Sequence, residues 1–435
     1  MSEVELVALV CCDLGAIVRG RSVAADELAA NITRGVGWVP ADHALTPLGP
    51  LAEPNPFGST GDLRLLPDPS TRVRLDQEVD PFDLLLCDIV ETDGRPWECC
   101  PRRFLRESLD VLEQELGARL RASFEHEFVL HEEQPAGLPF SLESQRRVTP
   151  FPARVMGALR EAGVEPERFL PEFADHQFEI PTAPAEGLAA ADRSVVLKEV
   201  VREVARREGR RASFLPFLGP TDTGNGVHIH LDLLDEDGVS MLYDASATSC
   251  LSELAGAFAA GILRHARALC ALSAASPVSY QRLAPEHWGA GAVALASRNR
   301  EALLRIPPLV TLGDGDPQTQ MRLEYRAADA TANPYLALGA LVRAGLAGVR
   351  EGLAAPPLLE ADPGTLKGEE AKRFGVGGLP SSLEEALAAL DSDELVRGWL
   401  PPLLYDAYVT VKRAELDQVA KLDLAERIRL YGNAY

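Results

Sequence analysis

Apolar positions change their period near residue 100. Before it they come as short continuous runs: residues 4–10 (VELVALV), a second run over 15–23 after a turn, and 82–90 (FDLLLCDIV). A Pro- and Gly-dense stretch over 39–69 predicts a long loop between them. Together they predict a small strand-rich domain of short hairpins over 1–100. After the boundary a helical period takes over. Pro101 opens a helix whose Leu105, Leu109, Leu112 and Leu116 share one face, and Gly117 stops it. Further helices are predicted over 185–208, 251–272, 383–390, 403–429 and 333–353, the last with Asn333 as N-cap and Pro334 at the first helical position. Strands alternate with these helices, so 101–435 reads as a second, α+β domain.

Four short segments alternate polar and apolar residues, and in a strand residues i and i+2 share a face. In FEHEFVL, Glu125 and Glu127 point one way and Phe124, His126 and Phe128 the other. In EFADHQFEI, Gln177 and Glu179 share a face, with Glu172 just upstream. In GNGVHIHLDL the polar face carries His228, His230 and Asp232, a ligand spacing after a Gly-rich turn. In MRLEYR it carries Arg322, Glu324 and Arg326. Alone, the first two segments read as readily as solvated edges and the fourth as a cross-strand salt-bridge ladder, while the His-x-His of the third reads more as a site. Together they place five glutamates and a histidine on polar strand faces, and converging carboxylates cannot all be ionised without cations. Glutamate oxygens favour Mg²⁺ or Mn²⁺, and a histidine ligand leans toward Mn²⁺. Metals with several arginines (Arg282, Arg298, Arg300 and Arg305 lie nearby in sequence) form a clamp suited to phosphoryl transfer.

Composition narrows the choice of partner. The 435 residues carry 43 Lys+Arg against 65 Asp+Glu, a net charge of −22, which argues against nucleic acid or an anionic membrane. No long uncharged apolar run or basic leader is visible. The seven cysteines, two pairs of them adjacent and none in C-x-x-C spacing, read as reduced thiols in a cytoplasmic protein. A Walker A loop, a kinase glycine loop and a G-x-S-x-G elbow are all absent.

With these motifs in order, the sequence resembles the glutamine synthetase family over nearly its whole length. FEHEF is similar to the family's paired-glutamate strand, and EFADHQFEI to its E-x-G-P-G-Q-x-E, with Ala174, Asp175 and His176 replacing small residues. TGNGVHIH is similar to N-G-S-G-x-H-x-H, SYQRLAP to S-Y-K-R-L-x-P, and RNREALLRIP to R-N-R-x-x-x-x-R-I-P. RLEYRAADATANPYL matches R-x-E-x-R-x-x-D-x-x-A-N-P-Y-L, and GDLRLLPDPST the N-terminal S-D-x-x-L-x-P-D-x-S-T. The resemblance implies a β-grasp domain over 1–100 and, over 101–435, a catalytic domain built on a curved antiparallel sheet with helices. It implies that Glu127, Glu172 and Glu179 hold one metal, positioning the acceptor carboxylate, and that Glu125, His228 and Glu324 hold a second on the ATP phosphates. Two or three Mg²⁺ or Mn²⁺ are implied. Arg300 and Arg326, with Glu324, would form the catalytic set around the transferring phosphoryl group. Arg282 would bind the α-carboxylate of glutamate, with backbone at Gly224 near its amino group, and His230, Arg300 and Arg322 would lie along the nucleotide. Rings of subunits, dodecamers of two hexamers, are implied as well.

The departures bear on the nucleophile. Where the family has a flap glutamate in R-L-x-P-x-x-E, this chain has Trp288, with Glu286 two residues early. Where the family has an ammonium-binding aspartate in G-F-D-G-S-S, GWVPAD offers Val39, or Asp42 only after an insertion. Phe217 stands at one family lysine, Thr319 or Gln320 at another, and no N-L-Y tyrosine is found around 366–374. The resemblance then points to a γ-glutamylamide synthetase that joins glutamate to a small organic amine, with Trp288 in the amine pocket. The apolar replacements argue against polyamines and for a neutral or aromatic amine. The competing readings are an ammonia-using glutamine synthetase, a non-catalytic relative, and a metal-dependent hydrolase built on His228 and His230.

Overall fold

The computed structural model describes residues 4–76, 81–219, 223–283 and 290–435. The first hundred residues form a six-stranded sheet whose central strand, Phe82–Glu91, is flanked by Leu6–Cys12 and Leu63–Pro67. Leu6–Cys12 runs parallel to it and also forms a hairpin with Val18–Ala24, while Leu63–Pro67, Val36–Trp38 and Val73–Leu75 complete the sheet antiparallel. The helix Leu28–Arg34 packs on the strand Leu63–Pro67. The stretch 39–69 is therefore not one loop. It holds a 3₁₀ turn at Pro40–Ala44 and the strand Leu63–Pro67, whose LRLLP alternation buries Leu63 and Leu65.

Helix Pro101–Leu116 follows, closed by Gly117 in the left-handed conformation. It leads into Arg119–His131, the longest strand of a nine-stranded sheet. On one side this strand pairs with Val227–Leu234, then Leu323–Tyr325, Ala302–Ile306 and Ala292–Ser297; on the other with Gln177–Pro181 and Leu170–Pro171. Pairing is antiparallel except at the edge, where Ala292–Ser297 and Ala302–Ile306 run parallel. The apolar face, with Phe124, Phe128, Val227 and Ile229, is buried beneath the helices Leu188–Arg207 and Pro334–Arg350. His126 belongs to this face. It bonds Ser194 at 3.1 Å, and burial, with Lys198 nearby, pushes its pKa down to about 3, so it is a neutral core histidine.

Three predicted helices differ in extent. The one expected from 185 starts at Leu188, because Ala185–Glu186 pairs with Arg119–His131. The one expected over 251–272 is two helices, Glu253–Arg264 and Ala266–Ser273, and the one expected over 403–429 is Pro402–Val419 and Leu424–Tyr431. Side-chain bonds to backbone carbonyls tie the first hundred residues to the rest. Asn333 Nδ2 donates to the carbonyls of Cys12 (3.2 Å) and Asp13 (2.9 Å), and buried Lys198 to those of Ala16 and Ala330. Arg102, buried, gathers Asp68, Asp88 and Asp192. All seven cysteines are free thiols. Among the described residues no helix is long and apolar enough to cross a membrane.

Candidate active site

Strand register decides which polar residues meet. Glu125 lies opposite His228, Glu127 opposite Glu179, and His230 between Ser123 and Glu324, while Arg305 lies opposite Glu324 from the next strand. The acids and histidines of four strands thus fall into three adjacent rows on the uncovered face. Glu125 is the hub. One oxygen is 3.2 Å from His228 Nδ1 and the other 3.0 Å from His230 Nε2. Among the described residues, ligand atoms within 4.8 Å of one another form two groups, Glu125–Glu179–His228 and Glu125–His230–Glu324. Glu324, fully buried, lies 4.0 Å from His228 and is gripped by Arg305 (2.5 Å) and Arg326.

The loop before Val227–Leu234 is fixed by backbone chemistry. Gly224 sits at φ +81°, and a Cβ there would lie 2.3 Å from the Pro216 carbonyl, so no other residue fits. Gln177 Nε2 donates to the Gly224 carbonyl (2.7 Å), to Asn225 Oδ1 (3.0 Å) and to Glu127 Oε2 (3.3 Å), and the Gly226 N–H donates to Glu127 (2.9 Å). Glu127 is thereby oriented from two sides.

Two cavities meet at this wall. The smaller, about 70 Å³, is lined by Glu127, Glu172, Glu179, Arg282, Arg300 and Arg326, with Gly224 and His228. The larger, about 370 Å³, is lined by Glu125, His230, Arg121, Arg168, Gln320 and Arg322. Arg322 Nε donates to His230 Nδ1 at 3.2 Å, and Arg326 Nε to the Arg300 carbonyl at 2.9 Å. Arg282 spends Nη2 on the carbonyls of Ala327 and Ala328, which anchors it while it lines the cavity.

The electrostatics are those of an acid cluster suited to cations. Burial pushes Glu172 up to about 7, helped by Glu127 and opposed by Arg300. Burial, with Glu125, Glu127, Glu172 and Glu324 around it, pushes Glu179 well above the carboxylate range. Burial would raise Glu125 too, but His230 and His228 outweigh it and hold its carboxyl well below that range. Burial and Arg326 lower the pKa of His228, opposed by its bond to Glu125, which moves it toward the neutral form that ligates a metal. Repelling carboxylates beside imidazole nitrogens fit Mg²⁺ or Mn²⁺.

Every expected site residue except one lines these cavities or bonds a residue that does. The exception is Trp288 which, with Glu286, lies outside the described residues. Glu125 touches both histidines, and His230 stands with Glu125 and Glu324. Sequence reasoning noted Arg305 but gave it no part; the signal was the R-I-P closing RNREALLRIP, which sets it opposite Glu324. It also missed the bracing by Gln177 and Gly226. Of the departures, Phe217 is core, and Thr319 and Gln320 line the larger cavity. Asp42 lies in the 3₁₀ turn after Val39; burial raises its pKa, opposed by Arg21 and Arg19.

Comparison with known proteins agrees over the full chain. Residues 1–97 match the family described as glutamine synthetase N-terminal domain, and 98–429 that described as glutamine synthetase, catalytic domain. The gamma-glutamylpolyamine synthetase GlnA3 of Streptomyces coelicolor is 33% identical over 96% of this chain and 91% of its own length. The glutamine synthetase of Thermus thermophilus is 34% identical over 82% of this chain and 81% of its own. A solved structure described as a novel glutamine synthase homolog superposes with a TM-score of 0.91 at 42% identity, covering 100% of this chain and 99% of that one. A GmaS/ADP complex superposes at 0.83 with 28% identity, covering 98% and 96%.

Proposed function

The chain belongs to the glutamine synthetase family of ATP-dependent ligases, and from that premise we propose that it joins the γ-carboxylate of glutamate to an organic amine. The observation that carries this reading is the Glu125–His228 row between two cavities, one lined by carboxylates and arginines and one with room for a nucleotide. In the proposal 1–100 is the N-terminal unit and 101–435 the catalytic one. Glutamate enters the smaller cavity, where Arg282 and the Gly224 backbone hold its amino-acid end. ATP enters the larger, along His230 and Arg322. Glu127, Glu172 and Glu179 hold one divalent cation and Glu125, His228 and Glu324 another, with His230 close enough to share. When bound, such cations neutralise phosphate charge and draw the two substrates together.

Arg300 and Arg326 lie where the γ-phosphoryl group passes to the carboxylate, and their charge is worth most in a buried site. The acyl phosphate that forms has a good leaving group. The amine nitrogen attacks its carbonyl carbon, the C–O bond to phosphate breaks, and the amine's proton leaves with phosphate or to solvent. Trp288 and Val39 stand where the family places acids that hold and deprotonate ammonium, which supports a carbon-bearing amine. The similarity to a gamma-glutamylpolyamine synthetase supports an amine in general, while the apolar replacements favour a neutral or aromatic one. The ammonia reading draws support from the Thermus relative and requires Glu286 or Asp42 to replace the lost acids. The test is phosphate release from ATP with Mg²⁺ or Mn²⁺ and glutamate across a panel of amines, with the product identified by mass. Release that needs both glutamate and an amine supports the reading, and release without glutamate refutes it.

A further inference from the structure

Beside the smaller cavity lies an apolar surface that neither the metals nor the nucleotide would use. Phe173 directly follows Glu172 and lines the same cavity, yet 44% of it is exposed. Its ring faces Phe140, 57% exposed, at a centroid distance of 6.4 Å and an angle of 54°. Leu138 and Leu142 flank them, both largely exposed. Single exposed apolar residues need no explanation, but four large ones from two adjoining segments at a cavity mouth do.

The loop bearing Phe140 is built to present it. Phe140 has φ +57°, a left-handed backbone that costs a bulky side chain energy and persists only where its surroundings enforce it. Here Ser141 caps the helix Leu142–Arg147 by accepting from Ser144 N (3.1 Å), and Ser144 Oγ donates to the Leu138 carbonyl (2.7 Å). Gly137 leaves room for this, since a Cβ there would fall 2.5 Å from Ser144 Oγ. The Phe140 N–H donates to the Glu172 carbonyl at 3.4 Å, tying the loop to a residue that lines the cavity. Glu143 is taken up by Arg147 at 2.6 Å, so its charge is turned onto its own helix.

Resting on the ligase reading above, we infer that Phe140 and Phe173 form the wall receiving the hydrocarbon part of the amine. The substrate class is then a monoamine with an aromatic or arylalkyl body, stacked between two rings with its nitrogen toward the cavity. A ring set against tilted aromatic faces gains both area burial and favourable edge-to-face geometry. Asp175, exposed two residues from Phe173, is the carboxylate that could hold a second ammonium, so a diamine belongs in the test.

The test uses Phe140→Gly, which suits the left-handed backbone, and Phe173→Leu, which keeps bulk and loses the ring. For each, kcat/KM is measured with an arylalkylamine, a diamine and ammonia, alongside sedimentation. The inference expects the arylalkylamine-to-ammonia ratio of kcat/KM to fall about tenfold in both variants while the sedimentation profile is kept. An equal loss with all three nucleophiles overturns it, as does a loss with the diamine as large as that with the aryl substrate. Dissociation of an assembly would also overturn it, making the patch a contact between copies of the chain. Failure of the ligase reading itself is separate, because the unsubstituted enzyme would then join glutamate to no organic amine.

Discussion

Glu324 is fully buried between two guanidinium groups. Burial alone would raise its pKa, but Arg326, His230 and His228 hold the carboxyl down to about 2. From sequence, replacing it would abolish turnover and leave the fold largely intact. The structure changes the second half: Glu324→Ala strands Arg305 and Arg326, and losing one partner of a buried ion pair costs about 3–5 kcal/mol. Urea unfolding of the variant checks this. Glu172 shifts the opposite way, to about 7, so its stabilising contribution is full below its unfolded pKa and is lost as pH rises through about 7. The contribution of Glu172 to the stability of the metal-free protein, read as the difference between the unsubstituted chain and Glu172→Gln, should therefore decline from about pH 4.5 to 7, and Mn²⁺ should reverse that decline by taking the ionised form. Calorimetry in two buffers of unlike ionisation enthalpy should find protons released on Mn²⁺ binding near pH 6, and the release should fall as pH rises past 7. The polar strand faces were legible because strand period is strict. The side-chain partners were not, because register across strands distant in sequence is set by tertiary pairing.

Elements with their own start and stop chemistry were readable to within a few residues: Pro101 and Gly117 bound one helix, and Asn333 caps another by accepting from the N–H groups of Tyr335 and Leu336. The breaks were hidden by unbroken apolar periodicity. Helices Glu253–Arg264 and Ala266–Ser273 part at His265, whose Nδ1 lies 2.6 Å from Asp393, a contact far away in sequence. The break before Leu424 did have a local signal, the Asp423–Glu426 capping box. Close helix packing was not legible either. Helices Glu253–Arg264 and Pro334–Arg350 touch at Gly261 and Gly348, where a Cβ on Gly348 would fall 2.1 Å from the Ala257 carbonyl. Gly348→Ala should destabilise the protein by about 1–3 kcal/mol, read as a lowered urea midpoint with unchanged slope.

For the whole molecule, the net charge of −22 excludes little about a buried anion site, since six arginines, Arg121, Arg168, Arg282, Arg300, Arg322 and Arg326, line the two cavities. Assembly into rings, which the resemblance to the family implies, predicts a sedimenting species well above the 46.9 kDa chain; a fully active monomer would refute it. Under the proposed function the site takes an organic amine because acids that hold ammonium are replaced by Trp288 and Val39. Its most direct test is the ratio of kcat/KM for the best amine of a broad panel to that for ammonia, measured on the unsubstituted enzyme and on Trp288→Glu. The expected ratio is far above one and falls in the variant as an acid is restored. Equal efficiency with ammonia in the unsubstituted enzyme would contradict it.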